Sequence, residues 1–210
     1  MKDKYHSGFF GGLFSRNEMF LWISAGLFFV SIVFSYLFAG FLNSFLAPLL
    51  QSLQQKAMDG TLKLETLSLF QNNATIAAYI YIGGILMGVV TAFLLILNGA
   101  FIGYVASKYP LGDFIIFTIP HGIFEITGII LAGAAGFRLG SIVFRFLNDV
   151  TKIKSNISLK NQISYLLEAN VDDFKDSLTL FIMAVILLII AAFIEANLSI
   201  SWGQFIQSMT

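Results

Sequence analysis

Between Glu18 and Lys56 the chain carries no charged residue. At 1.5 Å per residue, the stretch from Met19 to Phe41 is by itself long enough to cross about 30 Å of hydrocarbon. Composition extends the point to the whole chain: 57% of residues are hydrophobic and 11% charged, with 23 Phe against 12 basic and 12 acidic residues. One water-facing domain cannot hide that much apolar surface, so a soluble enzyme is excluded. The fold class predicted is all-α, a polytopic membrane helix bundle. Balanced charge removes the general electrostatic case for nucleic acid. The absence of Cys excludes disulfides and thiolate metal centres.

Lys2, Lys4 and Arg16 precede the first run as they would a signal peptide, but the run far exceeds an h-region of roughly 7–15 residues and no A-x-A site follows. It is expected to be retained as the first span. A second charge-free window extends from Thr66 to Ser107, with a helix-like part from Ala74 to Leu97 that is expected to cross. Asn98, Gly99 and Gly103 then mark a kink or a break. From Asp113 to Arg138 the only ionisable residues are His121 and Glu125, and Pro120 and Gly122 interrupt the helix. Ser177 to Ile194, about 27 Å as a helix, is the final span.

Lys2, Lys4 and Arg16 before the first span, and Arg138, Arg145, Lys152, Lys154, Lys160 and Lys175 before the last, place both regions in the cytoplasm. The expected map is a single integral domain over 1–210 in the cell (plasma) membrane. It has a cytoplasmic N-terminus at 1–18, an outer loop at 42–73, a cytoplasmic loop at 141–175 and an outer tail at 197–210. Ile153, Ile157, Ile163, Leu166 and Leu167 give the cytoplasmic loop the pattern of a surface helix, and Trp202 and Phe205 suit the outer headgroup region. Two spans before Lys108 bring the chain back inside there, so the segment up to Arg138 must enter and return. Two arrangements satisfy this: a re-entrant pair of half-helices with Pro120-His121-Gly122 near the tip, which is favoured, or five full spans with a third beginning near Asn98. The total is four clear spans or near-spans plus a broken or re-entrant segment around Pro120, five membrane segments in all.

The polar residues in this background are the candidate site. His121 and Glu125 are four apart and share a helix face, where they can meet as donor and acceptor. They are read either as a functional pair or as a structural tie across the break at Pro120. Asn98 sits in an apolar stretch and needs partners. Asn72 and Asn73 read as a helix cap, and Glu195 as an interfacial carboxylate at the outer boundary. Gly128, Ala132, Gly136 and Gly140 recur every four residues, as do Gly84, Gly88 and Ala92, and Ser31, Ser35 and Ala39. Such stripes let helix backbones approach closely.

Catalytic templates are missing. There is no H-E-x-x-H, G-x-S-x-G, Walker or G-x-G-x-x-G motif, and the only other His is His6. No catalytic residue, metal site or cofactor is therefore expected. The partners expected are membrane lipid, envelope or membrane proteins, and further copies of the chain.

Several strings accumulate into a resemblance: F-Q-N-N at 70–73, Asn98-Gly99, P-H-G-I-F-E-I at 120–126, A-G-A-A-G-F-R-L-G at 132–140 and F-I-E-A at 193–196. Over nearly its whole length the chain resembles the stage II sporulation protein M family, departing from it in the tail, where Leu198-Ser199 stands in place of Thr-Pro. The resemblance implies a multi-span integral protein which, in spore formers, anchors cell-wall hydrolases during engulfment. It implies a non-enzymatic scaffold in envelope or membrane remodelling. The alternative is a small transporter or channel-like protein using His121 and Glu125 at a broken helix, with an intramembrane hydrolase a distant third.

Overall fold

The computed structural model describes residues 8–60, 65–151 and 168–209, and among them there is no strand. Helices α1 (Phe9–Leu37), α2 (Ala39–Met58) and α3 (Thr66–Ile82) are followed by a 3₁₀ turn at Gly83–Leu86. Then come α4 (Val89–Ala106), α5 (Leu111–Val150) and α6 (Val171–Ile194), a π-helical turn at Glu195–Ser199, and α7 (Ile200–Gln207). Four helices are long and apolar enough to cross a membrane: α1, α4, α5, and α6 continued through the π turn into α7. The all-α membrane bundle is as expected. Helix α3, at 17 residues or about 25 Å, packs among them.

Close contacts give the helix directions. Gly99 lies on Phe28 and Ser31, and Gly103 on Ile32, so α1 and α4 run parallel. Gly128 meets Ala184 and Leu188, while the Ser177 hydroxyl donates to the Ala135 carbonyl at 2.8 Å, so α5 and α6 run antiparallel. Thr91 Oγ1 donates to the Ile80 carbonyl at 2.7 Å across the turn joining α3 and α4. Direction therefore alternates through α1, α3, α4, α5 and α6. One end of the bundle holds Arg16, Arg138 and Asp176; the far end holds Asn43, Lys108 and Asp113.

The turn between α3 and α4 overturns one sequence expectation. Ala74 to Leu97 is not one span but the two facing ends of a helical hairpin. Met87 (φ 53°) and Gly88 (φ 80°) are both left-handed, a conformation glycine adopts without steric cost. A Cβ on Gly84 would collide with the Gly136 carbonyl, and one on Gly140 would press on the Gly88 nitrogen at 2.7 Å. Gly84 and Gly88 are thus the reversal itself, seated on α5, and not a stripe along a helix face. Gly83 and Gly84 are buried against the bundle, while Ile85, Leu86 and Met87 face outward.

Two further corrections follow. Helix α5 is continuous through Pro120, so there is neither a re-entrant hairpin nor a broken segment. Proline removes one backbone hydrogen bond, and the neighbouring helices hold the remainder of the helix in register. Asn98 lies within α4 and starts no span. Lys108 sits at the far end, where its Nζ donates to Asn43 Oδ1 at 3.2 Å and the Tyr104 hydroxyl donates to the same oxygen at 2.7 Å. It is opposite Arg16, not beside it.

The expected outer loop at 42–73 is mostly helical, formed by α2 and the start of α3. Asn72 and Asn73 therefore lie inside α3 and cap nothing. Helix α5 extends to Val150, well into the expected loop at 141–175. The surface helix expected on Ile153, Ile157, Ile163, Leu166 and Leu167 lies outside the described residues, as do Lys2, Lys4 and His6. The tail from 197 is helical: Gly203 rests on the Phe117 ring, and Gln207 Nε2 donates to Asp113 Oδ1 at 3.0 Å.

Phe28, Ile80, Leu95, Ala132, Leu180 and Leu188 form the buried centre, while Trp22, Phe29, Val30 and Ile182 face outward. Lipid is as apolar as these side chains, so close backbone packing holds the helices together more than apolar burial does. Gly128, Ala132, Gly136 and Gly140 are all buried along α5 and supply that packing.

Candidate functional site

Glu125 stands on α5 with His121 one turn before it, and both face the point where α6 ends. There the π turn places Glu195 and Ser199 on the side of the helix that meets α5. Such turns carry one extra residue and frequently mark functional sites. One donor atom from each of His121, Glu125 and Glu195 lies within 4.8 Å of the other two. His121 Nδ1 is 2.9 Å from Ser199 Oγ, and Ser199 Oγ donates to the Ile194 carbonyl at 3.4 Å. With His121 in the Nδ1–H tautomer, Ser199 Oγ accepts from the ring and Nε2 keeps a free lone pair; in the other tautomer Ser199 donates to Nδ1.

Beside the three side chains is a cavity of about 460 Å³. Glu125, Glu195, Asn72, Asn73 and Asn98 line its polar side, Leu69, Ile76 and Phe101 its apolar wall, and Lys56 reaches it from α2. Asn72 Nδ2 donates to Asn73 Oδ1 at 3.2 Å. All six polar residues singled out in the sequence thus belong to one neighbourhood. Two details differ from expectation. The hydrogen-bond partner of His121 is Ser199 and not Glu125, and Glu195 turns inward toward Glu125. His121, expected to lack fellow ligands, has two carboxylates beside it.

Sequence reasoning missed a second polar cluster, at the basic end. Arg16 Nε and Nη2 each donate to Asp176 at 2.7 Å, a bidentate pair, and Asn17 Nδ2 adds a bond of 3.3 Å to the same carboxylate. Arg138 pairs with Asp173 and lies 3.9 Å from Asp176, while Arg145 also pairs with Asp173. These charges tie α1, α5 and α6 together. The signal available was that each stands at the edge of an apolar run.

Helix directions, the hairpin turn and the polar cavity define a membrane helix bundle with a polar cavity near its far end and an ion-pair cluster at its basic end. The chain belongs to the Stage II sporulation protein M family, whose model matches residues 24–200. Two uncharacterized proteins of Methanocaldococcus jannaschii are similar to it. One is 28% identical over 133 residues, covering 63% of this chain and 55% of the relative. The other is 31% identical over 137 residues, covering 63% of this chain and 69% of the relative. The chain thus spans little more than half of the first relative. No solved structure matches.

Proposed function

We propose that the chain is a non-enzymatic membrane scaffold, holding partner proteins in envelope or membrane remodelling at its far face. The observation that carries this reading is the closure of the bundle toward the basic end. There Gly84 meets Gly136, and Gly136 meets Thr91 and the Ile80 carbonyl, so the α3–α4 turn packs backbone to backbone on α5. Helix α2, with Gln51, Gln54 and Gln55 exposed, lies at that cavity's mouth and presents a polar edge to partners. Arg16, Arg138 and Arg145 at the opposite end favour a cytoplasmic amino terminus in the plasma membrane.

Photo-crosslinkers at Gln51 and Gln54, compared with Phe29 and Val30 on the lipid-facing side, test the reading in native membranes. A defined envelope protein captured only from α2 supports it; lipid alone from all four positions overturns it. A transport reading has one observation in its favour, the two carboxylates in the cavity. It requires flux in liposomes that Glu125→Gln removes without unfolding the protein.

A further inference from the structure

We propose that His121, Glu125 and Glu195 bind one divalent transition-metal ion of the Zn²⁺ and Co²⁺ kind. Two helices supply the set, one imidazole and two carboxylates, with donor atoms mutually within 4.8 Å. A tetrahedral ion with bonds of about 2.1 Å spaces its donors about 3.4 Å apart, so from separations within 4.8 Å the side chains must close by up to about 1.4 Å, within reach of rotation of the two glutamates. Ser199, itself buried, holds the ring through Nδ1 at 2.9 Å; metal-binding histidines are commonly fixed by such a bond to the nitrogen that does not ligate, and the Nδ1–H tautomer would present the Nε2 lone pair to the ion.

Charge points the same way. Glu125 and Glu195 face one another in an apolar bundle, and among the described residues neither forms an ion pair with a basic side chain. Two carboxylates brought together away from water repel strongly unless a cation or a proton lies between them. A dication offsets both at once. The adjoining cavity leaves room for water at the remaining coordination position, with the Asn98 carboxamide on the same wall. The nitrogen ligand separates this site from one for Ca²⁺ or Mg²⁺, which favour all-oxygen shells. The site escaped the sequence reading because Glu195 is distant in the chain from His121 and arrives only through the π turn.

The test uses the untagged full chain, purified in detergent and stripped with a chelator, then titrated with Zn²⁺ or Co²⁺ by calorimetry. One ion per chain is expected, with visible Co²⁺ absorption of a low-symmetry site that excess Mg²⁺ does not remove. Glu125→Gln and Glu195→Gln should each weaken binding by more than about tenfold, and Ser199→Ala by about tenfold through loss of imidazole orientation. Asp172→Asn, at the opposite end, and His6→Ala should bind as the parent does. Size-exclusion profiles establish that each variant is folded. Ser199→Ala removes no ligand, so it keeps the test decisive should a Glu variant aggregate. Absence of binding by the folded parent overturns the proposal in favour of a shared proton, and undiminished binding by both Glu variants overturns it by placing the ion elsewhere.

Discussion

Replacing Gly103 by Ala tests whether helix packing, not apolar burial, holds this bundle together. An added Cβ would stand 2.9 Å from the Ile32 carbonyl carbon and 3.0 Å from its Cα, with the carbonyl oxygen nearer still. These are backbone atoms and cannot rotate aside, so α4 must move away from α1 by at least about half an ångström along much of their contact. Overpacking of this sort costs about 1–3 kcal/mol. Gly26, on the partner helix α1, has nothing within 4 Å of the same added atom. There Ala should gain about 0.5–1 kcal/mol from helix propensity alone. The propensity gain is common to both substitutions, so they should differ by the overpacking alone, about 1–3 kcal/mol, a factor of roughly 5 to 140 in the folding equilibrium. Unfolding in mixed micelles by added dodecyl sulfate, followed by circular dichroism, measures the difference. Equal stability of Gly103→Ala and Gly26→Ala, within about 0.5 kcal/mol, would refute the packing argument.

Other predictions address the basic end, the topology and the proline. Asp176→Ala strands Arg16, Arg138 and Asn17 together and should destabilise by about 2–4 kcal/mol, whereas exposed Asp172→Ala should cost about 0.5 kcal/mol or less; equal effects in the same unfolding assay would remove the clamp. The chain has no native Cys, so single-cysteine labelling is clean: Lys108→Cys and Met58→Cys should react from one side of the membrane and Asn148→Cys from the other. Labelling of Lys108→Cys and Asn148→Cys from the same side would contradict the single crossing of the membrane by α5. Pro120→Ala restores a backbone donor to an already continuous α5 and should raise stability by about 1 kcal/mol; a loss of that size would mean that the helix depends on the proline.

The sequence made the spans legible for a physical reason: lipid admits few charges, so charge-free runs announce membrane helices. The same logic hid the turn at Gly83–Gly88. A turn in water needs polar residues, but this one lays Gly84 and Gly88 on α5 and is otherwise built from Ile, Leu and Met, which hydropathy cannot distinguish from helix. Gly84 and Gly88 were visible as small residues, and their four-residue spacing suggested a packing face. They do pack, but through a reversal of the chain. That error shifted every later crossing and made Pro120 look like the necessary break. The His121–Glu125 pair was legible because four-residue spacing is local, whereas Glu195 and Asp176 acquire their partners only through tertiary packing. The bidentate Arg16–Asp176 pair spans 160 positions, beyond any pattern that helical periodicity contains.

The two polar clusters differ in a way that separates structure from function. At the basic end Asp173 and Asp176 each have an arginine, and the geometry is bidentate at Asp176. Near the far end, two carboxylates and an imidazole converge with no arginine or lysine paired to them among the described residues, supported by a serine and a π turn, beside a cavity lined by carboxamides. A cluster serving only to join helices would gain nothing from leaving its charges unmatched, since a buried unpaired charge weakens the fold it sits in. The imbalance is therefore best understood as the half of an interaction that the protein supplies. Its location fits that role: the glycine contacts of the α3–α4 turn lie toward the basic end, while the incomplete cluster lies beside the cavity that α2 borders. A ligand can reach it from that side without disturbing the packing on which the fold depends.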